Sequence, residues 1–388
     1  MTAHAPSPAD DKLAYIDALR GLAVLMVIVY HVGHALVDQG LRVLPFFKGG
    51  QYGVQLFFVA SAFTLCLSHR RRADESAATA KFFLRRFFRI APLYYFGLIA
   101  YGVLRGLHEG GWPARYDAAS ILTNLTFTHG FAAHTINYVV PGGWSIACEM
   151  LFYVLLPPIL LAVDAPRKAL GLWLAFTLAQ VALGGATMSA RFDAERAIEP
   201  AFFYFWLPNQ LPVFAAGIYA YFVWERARRR SAAQQRLIGG YAWLVCVVLG
   251  GLAAGLLLSG QVGRWNHVVM PTVCGAVFGS LLLAASLRPS NLLVNGVLRT
   301  FGRYSYGGYI AHFALIWLLV NSGLPARLPL SPSFVLWPLL SLAVAALTLV
   351  AAMGLHFAIE SPGIELGRTL LRRLFAKRPA LASSPLPN

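Results

Sequence analysis

Charge is what this 388-residue chain has least of: Asp, Glu, Lys and Arg make up only 12% of it, where a soluble domain carries about 25%. That scarcity excludes an ordinary water-soluble fold. Cysteine is scarce too, and Cys66, Cys148, Cys246 and Cys274 lie in apolar stretches with no paired spacing. Neither a disulfide framework nor a zinc site is suggested, and the four read as small hydrophobes. No Gly-rich phosphate loop, internal repeat or separate soluble domain is visible. Acidic residues number 16 against 32 basic ones, a net charge of +16. The basic residues cluster between apolar segments, so they report membrane orientation and not nucleic-acid binding.

Apolar runs are what the chain has in abundance, at 58% hydrophobic residues. A span takes about 20 mostly apolar residues in a helix, because backbone groups cannot stay unpaired in lipid. Ten segments qualify: 13–36, 53–68, 88–105, 144–163, 169–188, 203–224, 237–258, 267–287, 304–321 and 333–358. The first holds Asp17 and Arg20 and has no small-residue cleavage site behind it, so it reads as a retained helix and not a signal peptide. The expected fold is an all-α, polytopic bundle of about ten membrane-spanning helices, with a segment 1–12, a membrane domain 13–362 and a basic tail 363–388. With both termini on one side, 23 Lys and Arg fall in the segments on that side and 8 in the opposite loops. This predicts cytoplasmic termini in a plasma (inner) membrane. Within the long outer connection 106–143, the stretch Ala118 to Phe131 reads as re-entrant or interfacial, since a full crossing would invert the charge pattern downstream. The tail after Pro362 reads as a basic amphipathic helix on the inner leaflet.

Ionisable groups inside spans are costly and usually face a cavity, so each is a candidate. Asp17, Arg20 and His31 share the first helix, and the 11-residue step from Arg20 to His31 returns to nearly the same face about 16 Å further on. Both can line one cavity. His31 is the best general-base candidate, because imidazole alone titrates near neutrality; a packing histidine is the alternative. His34 lies farther round. Arg86 and Arg89 are i,i+3 neighbours at a membrane entrance, placed to grip a phosphorylated ligand or to serve as positive-inside anchors. Arg70, Arg71 and Arg72 read as anchors. Glu149, one turn into the helix opened by Gly142-Gly-Trp-Ser, could orient His31, hold a hydroxyl or pair with an arginine. Ser145 reads as helix-capping.

Together these pieces resemble the acyltransferase-3 family of bacterial membrane O-acyltransferases over about residues 13–362. They are Asp17-Ala-Leu-Arg-Gly with His31, Gly53-Val-Gln-Leu-Phe-Phe-Val-Ala-Ser-Ala-Phe, Arg86-Phe-Phe-Arg-Ile-Ala-Pro, Trp144-Ser-Ile-Ala-Cys-Glu, Leu211-Pro-Val-Phe, Tyr304-Ser-Tyr with His312, and Glu360-Ser-Pro. The resemblance implies acyl-CoA, by default acetyl-CoA, as a co-substrate from the cytoplasm, no tightly bound cofactor or metal, and a glycan or glycolipid acceptor at the outer face. It implies that His31 is catalytic, that Glu149 belongs to the site and that Arg20, Arg86 and Arg89 handle the donor or position the site. His312 and Glu360 match as well, for catalysis or for buried helix contacts. This chain has Ser61-Ala-Phe where the family often has Ser-Gly-Phe, and Met150 where a second acid is frequent.

A transporter is the principal competing reading, since ten helices with buried Arg, His and Glu would suit a proton-coupled carrier. Inverted repeats and matched broken helices, common in transporters, are not seen. A scaffold or sensor would not need those buried groups.

Overall fold

The computed structural model describes residues 14–41, 43–189, 200–259, 266–327 and 333–375. The predicted segment 1–12 and the end of the tail lie outside them. Among the described residues there is no β-strand. The chain runs α1 (Ala14–Asp38), a 3₁₀ segment (Pro45–Tyr52), α2 (Gly53–Arg71), α3 (Ala78–Glu109), α4 (Ala118–Leu125), α5 (Gly143–Ala162), α6 (Pro166–Ser189) and α7 (Pro200–Phe205). It continues through α8 (Leu207–Ala227), α9 (Ala232–Ser259), α10 (Asn266–Leu287), α11 (Gly296–Arg303), α12 (Ser305–Asn321), α13 (Leu324–Arg327), α14 (Ser333–Leu355), a π-helical turn (His356–Glu360) and α15 (Ser361–Leu374). All ten expected spans have a helix, and eight of the helical stretches are long and apolar enough to cross a bilayer. α12, at 17 residues, and α8, which carries Asn209 and Gln210, are the two outside that group. The protein is a polytopic helical bundle.

α8 is wrapped by its neighbours, with Val213, Phe214, Ala215 and Ile218 fully covered. α9 is peripheral and turns Tyr241, Leu244, Val247 and Leu252 outward, each about 60% exposed, as a lipid-facing surface requires. Close crossings rest on glycine. An added Cβ at Gly21 would run into the Leu298 carbonyl, and one at Gly302 into the Asp17 carbonyl, so α1 and α11 touch backbone to backbone. Likewise, Gly217 of α8 seats against Val59 and Ala62 of α2, so the small residue that family members carry at position 62 is supplied from the facing helix. Gly302→Leu is expected to cost at least about 3 kcal/mol, the upper end for overpacking where backbone blocks relaxation. Thermal melting in detergent, beside Gly296→Leu at a position whose Cβ meets nothing, measures it.

Two expectations change. α3 begins at Ala78 and not near residue 88, because the arginine-rich stretch that hides it from a hydropathy reading is itself helical. Residues 118–131 do not form one continuous helix: α4 has eight residues, a rise of about 12 Å, and Phe127, at φ +58°, separates it from a 3₁₀ turn at His129–Phe131. Asp117 caps α4 by accepting the Ser120 N–H at 2.6 Å, which holds its carboxyl below the ordinary range. The tail does form a helix, α15, which packs on α3 with Gly363 against Pro92 and Gly367 against Phe88 and begins at Ser361, just before the expected boundary after residue 362.

The basic connections gather at one end of the bundle, as the alternation of spans requires. Arg70 pairs with Glu225 at 3.5 Å, and Arg71 and Arg228 share a cleft with Leu287.

Candidate active site

Five helices bring the candidates inward. α5 carries Ser145, Glu149 and Tyr153 four residues apart, one stripe of a helix. Together with Arg20 of α1, Ser61 of α2, Arg86 and Arg89 of α3 and Tyr309 of α12, they line a cavity of about 80 Å³. Glu149 Oε1 accepts the Ser61 hydroxyl at 2.5 Å and the Tyr153 hydroxyl at 2.6 Å. Ser145 does not cap its helix: its Oγ donates to Tyr309 Oη at 2.9 Å, and Tyr309 in turn donates to the Gly142 carbonyl at 3.1 Å.

The arginines are poorly matched. Arg20 makes one long hydrogen bond, 3.4 Å to Thr64 Oγ1. Arg86 sits 5.8 Å from the centroids of both Phe82 and Tyr153, and its buried Nε has no hydrogen-bond partner. Among the described residues none of Arg20, Arg86 and Arg89 forms an ion pair within 4 Å. Three guanidinium forks thus surround one carboxylate that is already hydrogen-bonded. Arg86 Nε is a buried donor that an anion would satisfy, and Arg89 beside it is exposed. Asp17 lines an adjoining cavity of about 260 Å³ together with Arg20, Arg71, Arg72, Arg86 and Arg89. It lies 14 residues from His31, about 21 Å along the helix, too far to act on it directly.

His31 stands apart from the arginines. It is not among the residues lining the cavity with Arg20, so the single shared cavity expected from helix phase does not form. The phase is right, but the rise separates the two into different layers. Tyr309 and His312 connect them: Tyr309 lines the cavity, its ring is 5.7 Å from His312, and His312 Nε2 is 3.4 Å from His31 Nδ1. His31 Nδ1 is also 2.9 Å from the Val27 carbonyl, and His312 Nδ1 is 3.2 Å from the Gly308 carbonyl. A carbonyl only accepts, so both Nδ1 atoms carry the proton. The His31 N–H is then shared between Val27 and the His312 Nε2 lone pair, and His31 Nε2 is left as an acceptor.

Glu149 does not orient His31, since its bonds go to Ser61 and Tyr153. His34 pairs with Asp38 at 2.9 Å, both exposed. Glu360 is buried in the π-helical turn, bonded to His356 at 3.0 Å, and is not among the residues lining this cavity. Sequence reasoning missed Ser61, Tyr153 and Tyr309, hydroxyl side chains that do not stand out in apolar runs; the one available signal was the i,i+4 step from Glu149 to Tyr153.

Arg20, Arg86, Arg89 and Glu149, which come from three of the runs that carry the resemblance, line this one cavity. The family model described as an acyltransferase domain matches residues 13–357. The chain belongs to the acyltransferase-3 family. Among curated proteins, this acyltransferase is 24% identical to the peptidoglycan O-acetyltransferase OatA of Listeria monocytogenes, over 89% of this chain and 55% of that protein. It is 25% identical to the acyltransferase MdmB of Streptomyces mycarofaciens, over 97% of this chain and 96% of that one. The chain thus spans about half the length of the first relative and nearly all of the second. No solved structure matches it significantly. The chain is an acyltransferase with eight helical stretches of membrane-crossing length among the described residues, which sets the transporter reading aside.

Proposed function

We propose that the enzyme transfers an acyl group, by default acetyl, from acyl-CoA to a hydroxyl of a glycan or glycolipid, with His31 as general base. The observation that carries this reading is the surplus of unpaired guanidinium around the cavity, joined through Tyr309 and His312 to a histidine with a free acceptor nitrogen. A donor bearing several phosphates matches the arginines, and a hydroxyl acceptor matches His31 Nε2. In the step itself the hydroxyl oxygen attacks the thioester carbonyl carbon while its proton passes to His31 Nε2. The C–S bond then breaks, and the thiolate of CoA takes that proton back from His31 Nε2 as it leaves, which restores the neutral imidazole. The imidazolium formed on His31 shares its Nδ1 proton with His312, which makes His312 a positioning and charge-sharing partner. The cavity's Glu149 fixes Ser61 and Tyr153 and offsets part of the arginine charge.

Acetyl as the acyl group is supported by the name of the OatA relative; the glycan acceptor is supported by that name and by the family. Purified enzyme in nanodiscs with acetyl-CoA and surface glycan should release free thiol and acetylate the glycan, read by thiol titration and mass spectrometry. No thiol release from any acyl-CoA, with a competent membrane-inserted protein, would remove acyl-CoA as donor. The termini and the 69–89 and 225–236 loops are proposed to be cytoplasmic, on the 23 to 8 division of basic residues. A cysteine at position 230 labelled by an impermeant reagent from outside intact cells would reverse that orientation.

A further inference from the structure

Beside the small cavity lies a much larger space that the chemistry described so far does not use. A groove of about 700 Å³ runs between α3 and α15, lined by Arg72, Arg85, Arg86 and Arg89 on one side and Arg368 and Arg372 on the other, against a single acid, Glu365. Arg86 and Arg89 line this groove, the 260 Å³ space and the 80 Å³ cavity alike, so the three adjoin along one row of arginines.

We propose that this groove seats the phosphorylated nucleotide end of the acyl donor, and that Arg368 and Arg372 of α15 are donor-binding residues; the inference rests on acyl-CoA being the donor. Size separates the two ends of such a ligand. Pockets for organic ligands measure about 300–1,000 Å³, and of these three spaces only the groove reaches that range. The thin, uncharged pantetheine arm can pass Arg89 and Arg86 into the small cavity, from which Tyr309 and His312 lead on to His31. Charge points the same way: a nucleotide with a diphosphate and a 3′-phosphate needs several guanidinium forks, and the groove presents six against two carboxylates, Glu75 on Arg72 and Arg85 and Glu365 on Arg368 and Arg372. Glu365 holds the forks of α15 ready, bonded to Arg368 at 3.1 Å and to Arg372 at 2.7 Å. All three side chains are more than half exposed, so a phosphate can replace the carboxylate at little cost. Apolar Ile364 and Leu371 in the same wall offer a surface for a purine ring.

The placement of α15 is built into α3. Pro92 cannot donate to the Phe88 carbonyl, and Gly363 sits against that proline and carbonyl, with Gly367 on the Phe88 ring. One stretch of α3 therefore both seats α15 and supplies arginines to the groove.

The test compares acetyl-CoA with acetyl-pantetheine, which carries the thioester and no nucleotide. For the Arg368→Gln/Arg372→Gln protein in neutral-lipid nanodiscs, KM for acetyl-CoA should rise about tenfold or more with kcat little changed. Its kcat/KM for acetyl-pantetheine should equal wild type, and Arg368→Lys/Arg372→Lys should recover part of the loss. Equal losses on both donors would mean that α15 is only structural, and unchanged kinetics on acetyl-CoA would mean that it binds nothing relevant; either overturns the proposal. A KM effect seen only with anionic lipid present would assign the groove to headgroups and overturn it too. If the wild-type enzyme uses neither thioester, the acyl-CoA reading itself falls, an outcome distinguishable from wild-type activity that the variants leave unchanged.

Discussion

His31→Ala should abolish detectable acyl transfer, a loss of at least the about 10²–10⁴-fold that a general base contributes, while the protein still inserts and elutes as wild type. The expectation rests on the proton inventory: Val27 and His312 take the Nδ1–H, which leaves Nε2 as the acceptor. Alanine removes that acceptor, and the one left in the pair, His312 Nε2, faces the Nδ1 side of the lost ring and not its Nε2 side. His312→Ala should cost less, because His31 keeps its bond to Val27 and so its tautomer, but loses the partner that shares the imidazolium charge. A larger loss in His312→Ala than in His31→Ala would reverse the two roles. A covalent route makes a separate mark: labelled acyl-CoA without acceptor would leave an acyl-imidazole on the protein, whereas a plain base leaves none. The plain base is the expected result.

Arg86→Ala should raise the apparent donor KM by about tenfold or more, since a charge-assisted hydrogen bond to phosphate is worth about 1.5–3 kcal/mol. Stability should move the other way. The Arg86 Nε is buried without a partner and its charge meets no acid at ion-pair distance, so the side chain is a burden on the free protein. Arg86→Met should therefore melt in detergent at or above the wild-type temperature while binding donor poorly. A marked drop in melting temperature with donor kinetics unchanged would make Arg86 a structural residue. Arg86→Lys should recover part of the binding, since it keeps the charge and loses the fork. Arg89→Ala should weaken donor use as well, by a smaller factor, because Arg89 is exposed and water competes for the same bond.

The bundle was legible because a bilayer imposes length and apolarity on its spans, and eight of the ten runs meet both in the described residues. Boundaries failed where charge enters a helix, as in α3, and where one helix runs on into another, as at the π-helical turn between α14 and α15. The arginine cluster was legible because guanidinium groups are conspicuous in apolar runs. Its partners were not: Ser61 and Tyr153 look like ordinary helix residues until α2 and α5 set them on either side of Glu149. Periodicity correctly put Arg20 and His31 on one stripe of α1. Which cavity each meets depends on α12, whose Tyr309 and His312 fill the layer between them, and that packing is set by residues nearly 300 positions away.

The two helices that frame the groove are longer than a bilayer is thick. α3 has 32 residues, about 48 Å of helix, and the helical stretch Val335–Leu374 has 40, about 60 Å, against a hydrocarbon core of about 30 Å. Where α15 lies along the start of α3, the excess length together with the clustered arginines sets both in the headgroup and aqueous zone as a short turret. The turret arginines are therefore bathed in counter-ions with a screening length of about 8–10 Å, whereas Arg86 and Arg20, deeper in, are shielded from them. Raising ionic strength should consequently weaken capture of a polyanion at the turret well before it disturbs the groups below.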